Sequence, residues 1–418
     1  MRLVLVLALT GQAQAQSNIP VDDPGIRRAF DMIKSWNSWI VDTQLQLCEI
    51  PAPPFKEQAR GLEFRKRMIA LGYPQTKIDA IGNVIAERAG KGNGPTVMIA
   101  GHLDTVFPEG TDVKVKRTGT RMDGAGIGDD CRGLVVILSI ARALNEAKIE
   151  TRGKVILVAD VGEEGPGNIR GVRELFNNGY KGKIDQFISV DGLGFRVAAR
   201  AVGSHRYNVV FSGPGGHSYG AFGAVPSAIH AMGRAISNIG DIVPPTGIKT
   251  TYNVGTVKGG TSVNTISPDG AMEVDMRSES MDNLEKMDQL IRDAIAKGVA
   301  AENARCPKTP AKIVVKYDTM GFRPVGRVPQ TDSTPIIKVA LDAAKAIGEA
   351  SGTDAGSTDS NLAMSMGIAA MTIGGGGKGG NAHAAGEWYD DGPTGYKGPQ
   401  WALLIVASLA GLVRTTTP

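Results

Sequence analysis

Apolar positions recur at three- and four-residue spacing over 26–50 and again over 56–72, which predicts two N-terminal helices. Pro51-Ala52-Pro53-Pro54 is the break between them. The period then changes. Short apolar runs over 83–87, 96–100, 154–159 and 186–190 read as strands, with a helix predicted over 133–147. Strands alternating with helices imply an α/β sheet whose loops gather at the strand ends. A second rhythm begins near residue 202. Strands over 205–211, 250–257, 271–276 and 312–317 alternate with helices over 225–239 and 282–304, the β-α-β-β-α-β order of a small open-faced sandwich. After this the first rhythm returns, with helices over 334–348, 360–366 and 396–413 and a strand over 368–373. The expected fold class is therefore α/β: one α/β domain, residues 16–201 and 321–418, interrupted by an inserted β-α-β-β-α-β domain at 202–320.

Composition narrows the class without naming it. With 42% hydrophobic and 21% charged residues, the 418-residue chain has ordinary globular usage, and disorder over its whole length is excluded. A net charge of +4 gives no reason to expect nucleic acid or an anionic membrane as partner. The 55 glycines have no collagen-like period and point to many special backbone positions. The three cysteines, Cys48, Cys131 and Cys306, are odd in number and widely spaced, which suggests neither a disulfide framework nor a zinc ribbon. Arg2, the apolar run that follows it and Ala13-Gln14-Ala15 have the form of a secretory signal over 1–15, cut after Ala15. The mature protein is then expected to be periplasmic or secreted. No later stretch is long and apolar enough for a membrane helix, which needs about 20 residues.

Candidate chemistry sits where the strands end. His102-Leu103-Asp104 follows the strand at 96–100, and two residues in alternate positions can face one point. Gly128-Asp129-Asp130 precedes a helix, Glu163-Glu164 follows the strand at 154–159, Asp191 follows that at 186–190, and His383 follows a glycine run. An Asp after a strand is ordinarily a turn residue or cap, and a Glu pair in a loop is ordinarily solvated. Their joint occurrence at the carboxyl ends of the strands, where open α/β sheets gather ligands, suits zinc, cobalt or manganese. The natural count is two ions sharing one Asp, an arrangement that clamps a tetrahedral intermediate and acidifies a bridging water.

The set of motifs resembles the dizinc exopeptidase and deacylase family that includes peptidase T, glutamate carboxypeptidase, acetylornithine deacetylase and succinyl-diaminopimelate desuccinylase. The matching segments are Gly101-His102-Leu103-Asp104, Gly126-Ile127-Gly128-Asp129-Asp130, Gly162-Glu163-Glu164-Gly165, Val190-Asp191-Gly192, Gly215-Gly216-His217-Ser218, Ser262-Val263-Asn264, Glu273-Val274-Asp275-Met276-Arg277 and Gly380-Asn381-Ala382-His383. The resemblance implies a dizinc catalytic domain with a lid and dimerisation domain inserted in it, two Zn2+ per chain with Co2+ or Mn2+ able to substitute, and a homodimer. It implies that His102 and Asp191 hold one ion, Glu164 and His383 the other, and Asp129 bridges. Glu163 becomes the general base and Asp104 the residue that orients His102. His217 becomes an oxyanion donor reaching the partner's site, with Asn264 and Arg277 binding the substrate's carboxylate or carbonyl. One departure stands out: Asp129-Asp130-Cys131-Arg132-Gly133 replaces the usual Asp-Asp-Lys-Gly-Gly. Alignment on the glycine selects Asp129 as the bridge, Asp130 staying open, and makes Cys131 a buried, inert thiol rather than an exposed one.

The activity implied is hydrolysis of amide bonds in short peptides, closer to the peptidase T and carboxypeptidase branches. Deacylation of N-acyl amino acids on the same site is the alternative. Two other patterns compete. Gly216-His217-Ser218-Tyr219-Gly220 matches the nucleophile elbow of serine hydrolases, with Asp359 and His383 following in order, but Ser212-Gly213-Pro214-Gly215 separates strand from Ser218. Gly124, Gly126 and Gly128 imitate a dinucleotide loop, with Asp129-Asp130 where phosphates should lie. A non-catalytic metal- or peptide-binding protein has no use for Glu163 beside Glu164. His205 and His230 read as structural.

Overall fold

The near-continuous apolar runs become the middle of an eight-stranded sheet because they are covered on both faces. The strands Val97–His102 and Val155–Asp160 are buried at every position. They run parallel to each other, and Gln186–Val190 and Ala369–Ile373 continue the parallel centre. Val84–Arg88 adds antiparallel on one side. The structure, a computed structural model, describes residues 19–413, so the leader expected over 1–15 lies outside the described residues. Within them no helix is long and apolar enough to cross a membrane.

Helix Cys131–Glu146 lies on the sheet, with every residue from Cys131 to Ala141 buried. It begins two residues before the predicted start because the Asp130 carboxylate accepts from the Gly133 N–H at 2.9 Å and caps it. That fold-back explains Gly133: a Cβ there would meet both Asp130 carboxylate oxygens at 2.3 Å. The predicted helix over 26–50 is two helices, Pro24–Ser35 and Asn37–Cys48, because Trp36 leaves the α conformation and lets both pieces wrap Cys131–Glu146. Helix Lys397–Ala410 covers the same side. Strands Arg196–Ala201 and Gly352–Gly356 complete the sheet's far edge and carry no apolar run or alternation to announce them. A second small sheet joins Lys116–Thr118, Arg121–Asp123, Trp388–Asp390 and Lys378–Gly380, the last drawn from the predicted glycine loop.

The insert has the predicted order. Gly203–Ser212, Thr250–Gly259, Asp269–Ser278 and Val314–Arg323 form one antiparallel sheet, under helices Ala228–Gly240 and Met281–Ala304. The last strand runs past the predicted end at 317 to Arg323, taking up an irregularity between Thr319 and Gly321. Its final residue, Arg323, is still in register with Ser204 of the first strand. A separate two-stranded ladder pairs Gly216–His217 with Thr265–Ile266 on the lid.

The cysteine reading is corrected: Cys48 and Cys131 form a disulfide, and Cys306 is a buried free thiol. Cys131 is thus buried as expected, but it is not a thiol. A separation of 83 residues hides the pair in the sequence. Only the fold sets the end of helix Asn37–Cys48 against the start of Cys131–Glu146. Closing a loop of this length contributes about 4 kcal/mol in the chain-entropy view. Thiol titration of the denatured, unreduced chain should find one reactive cysteine, and reduction should lower the melting temperature by several degrees. Three titratable thiols without reductant would refute the bond.

Candidate active site

His102, Glu163, Glu164 and Asp191 lie at or just past the carboxyl ends of three parallel strands, and the segments that carry Asp129 and His383 meet them there. His102 ends its strand with the ring wholly buried, and its Nε2 lies 2.9 Å from Asp129 Oδ1. The other oxygen of Asp129 lies 3.0 Å from His383 Nε2, which is also 2.9 Å from Glu164 Oε1. Two sets of donor atoms, His102/Asp129/Asp191 and Asp129/Glu164/His383, each converge within 4.8 Å, sharing Asp129. A third set, His102/Glu163/Glu164, places Glu163 within reach of the same region. Imidazole and carboxylate donors in two overlapping sets fit a pair of divalent cations of the zinc type. Asp130 is not placed to join them. Its carboxylate is spent on the His102 and Gly133 backbone N–H groups at 3.0 and 2.9 Å.

Asp104 works differently from the expectation. The His102 Nδ1–H meets the Asp104 backbone carbonyl at 3.0 Å, while the Asp104 carboxylate stands 3.7 Å from that nitrogen. Its two oxygens accept from the backbone N–H groups of Glu163 and Glu164 at 3.0 and 2.9 Å. Asp104 therefore fixes the tautomer of the histidine with its backbone and the glutamate pair with its side chain. Glu387, which the sequence reading missed, does the same for the Asp129 loop. It accepts from the N–H groups of Gly126, Gly128 and Asp129 at 2.8–3.0 Å. Its only sequence signal is its place four residues after His383, at the start of the small-sheet strand. His383 itself holds a left-handed backbone, φ +67°, the kind of strain that a functional site retains.

Positive charge faces these acids from both the lid and the eight-stranded sheet. A cleft of about 370 Å3 is lined by Asp129, Glu163, Glu164, Asp191 and His383, and also by Arg196, Arg206, Arg277 and Arg323. Asp275 holds Arg206 and Arg277 together, accepting from each Nε at 2.8 Å. Of the four arginines only Arg277 was singled out from sequence; the others carry no motif and are recognisable only by register. His217 and Asn264 are not at this cleft. They sit together at the small ladder on the lid, where Ser218 N–H donates to the Asn264 carbonyl at 2.9 Å. Ser218 is likewise on the lid while His383 faces Asp129, so the elbow pattern does not assemble a triad with Asp359, which is buried elsewhere. A larger hollow of about 530 Å3 beside the outer strands has no donor set; its Lys77 and Lys154 are both paired to Glu87.

This architecture, with histidine–carboxylate sets at the strand ends and a lid presenting arginines, defines a metal-dependent hydrolase. The chain belongs to peptidase family M20/M25/M40, which it matches over residues 98–397. It is 26% identical over 308 residues to the uncharacterized protein YqjE of Bacillus subtilis (strain 168), across 70% of this chain and 76% of that one. Among solved structures it resembles the aminopeptidase PepT of Bacillus cereus ATCC 10987 (TM-score 0.69, 21% identity, 89% of this chain and 98% of that one). It also resembles the di-peptidase Dug1p of Saccharomyces cerevisiae (TM-score 0.72, 13% identity, 92% and 98%).

Crowding sets the titration of the site. Burial, with Asp129 nearby, pushes Asp191 up to about 7. Burial pushes Glu163 up to about 8 despite the pull of Arg323. Hydrogen bonds to Asp129 and Glu164 raise His383 to about 10. For each of these groups the folded metal-free chain holds its proton to higher pH than the unfolded chain does. Stability is thus full at low pH and lost as pH rises through these values. The metal-free protein should melt at progressively lower temperature from pH 5 to pH 8, and the stabilisation by zinc should grow over the same range. A metal-free melting temperature that rises across this interval would contradict the crowding.

Proposed function

We propose that the chain is a two-zinc exopeptidase acting on short peptides that carry a free carboxylate. The observation that supports it most is the pair of imidazoles set on the two oxygens of Asp129, with Glu163 beside them. His102 and Asp191 would hold one ion, Glu164 and His383 the other, and Asp129 both, with cobalt or manganese able to replace zinc. Bound there, the ions would acidify a water and polarise the scissile carbonyl. Glu163 takes the water's proton and delivers it to the amide nitrogen, which leaves readily only as the protonated amine.

His217 Nδ1 accepts from the backbone N–H groups of Tyr219 and Gly220 at 3.2 and 3.3 Å. This puts its proton on Nε2, ready to donate to an oxyanion. Its place on the lid, away from its own chain's cleft, favours service to the partner's cleft in a homodimer, with Asn264 beside it. Arg277 and Arg206 share the single negative charge of Asp275, which leaves one positive charge for a substrate carboxylate. Arginines in the cleft favour a carboxylate over a free amine as the recognised end. The disulfide supports an oxidising compartment, in keeping with the secretory leader expected from the sequence.

Chelation should abolish activity and zinc should restore it. Glu163→Gln should keep its metal while turnover falls by about 10²–10⁴-fold. Glu164→Ala should shed metal and recover partly in excess zinc. A Glu163→Gln enzyme near the wild-type rate sinks the assignment of the base.

A substrate panel tests the carboxylate. Di- and tripeptides should be cleaved and their C-terminal amides should not, and Arg277→Ala should raise KM far more than it lowers kcat. N-acyl amino acids turned over faster than any peptide would favour the deacylase.

A further inference from the structure

Arg323 is the last residue of the lid's last strand, in register with Ser204 of Gly203–Ser212. Its side chain is not on the lid. It is 5% exposed and reaches under the base: Nη1 donates to Glu163 Oε1 at 2.7 Å and to the Ser357 carbonyl at 2.7 Å, and Nη2 donates to the Glu163 backbone carbonyl. One guanidinium thus grips Glu163 by both side chain and main chain. The junction around it is pinned. Phe322 N–H donates to Asn168 Oδ1 at 3.0 Å. The Asn361 amide donates to the Val202 and Pro324 carbonyls at 2.9 and 3.0 Å, tying the two chain crossings into one joint.

Glu163 has two possible uses in this cleft. It can carry a proton, or it can swing toward His102 and Glu164, with which its donor atoms already form a set within 4.8 Å. The second use would make it one more metal ligand and remove the base. We infer that Arg323 is a positioning residue that holds Glu163 as a base and keeps it out of the metal-ligand set, from the joint where the lid meets the catalytic domain. The guanidinium suits this task. It never gives up its proton at physiological pH, so it cannot itself take the water's proton, and its rigid fork fixes one carboxylate oxygen while leaving the other free. The inference rests on the two-metal reading with Glu163 as base.

The test uses the zinc-loaded full chain and the best peptide substrate. Arg323→Ala should lower kcat by about 10²-fold, the scale of a misplaced catalytic group. KM should stay within a few-fold, and two zinc ions per chain should be retained at unchanged or tighter affinity. Added guanidinium ion, below denaturing concentration, should restore part of the rate. The Glu163→Gln/Arg323→Ala double variant should be no slower than Glu163→Gln alone, because Arg323 acts only through the base. Should Arg323→Ala not yield folded protein, Arg323→Lys carries the same measurements, since an ammonium cannot make the two-point grip. A rate within threefold of wild type, loss of metal in step with loss of rate, or a further tenfold loss in the double variant overturns the inference. Full activity of Glu163→Gln would instead overturn the underlying reading, so the two failures are told apart.

Discussion

Carboxylates of Asp129, Glu163, Glu164 and Asp191 converge in one buried cleft, and nothing in a folded chain is harder to hold than like charges away from water. Much of the surrounding structure answers that repulsion. His102 and His383 reach Asp129 from positions 281 residues apart in sequence, each meeting a different oxygen. Arg323 offsets Glu163. Two further carboxylates, Asp104 and Glu387, do not join the cluster but are turned onto backbone N–H groups, so that their charge fixes loops instead of adding to the crowd. Near Glu163, burial and the neighbouring Asp160 push Asp359 well above the usual carboxylate range.

The lid is built on the opposite principle. Its sheet face presents arginines where the catalytic domain presents acids, and Asp275 spaces Arg206 and Arg277 by sharing itself between them. Opposite charges therefore face each other across the cleft, and Asn361 ties the two chain crossings together at the Val202 and Pro324 carbonyls.

The parts of this arrangement legible in the sequence are those that depend on local order. Buried parallel strands are long apolar runs, and the residues just past their ends are adjacent to them in the chain, so His102, Glu163, Glu164 and Asp191 could be found. The insert was legible because β-α-β-β-α-β is a sequential pattern. What stayed hidden is what only the fold brings together. The edge strand Gly352–Gly356 owes its conformation to its neighbour's hydrogen bonds rather than to its own composition. Asp104 looked like a histidine partner because alternate residues of an extended segment share a face, but the chain turns there and the backbone carbonyl arrives first. Glu387 and Arg323 act on main-chain groups far away in sequence, which no spacing rule detects.

The Cys48–Cys131 bond has a bearing on which atoms the incoming ion can find. Cys131 lies two residues from Asp129, and a thiolate is a softer and stronger donor to zinc than any carboxylate. In a chain with free thiols, the segment that carries Asp129 would also carry a zinc-binding sulfur two residues on. Joined to Cys48, that sulfur has no charge to offer. Oxidation thus takes sulfur off that segment's list of donors, and the donor sets of the cleft are nitrogen and oxygen.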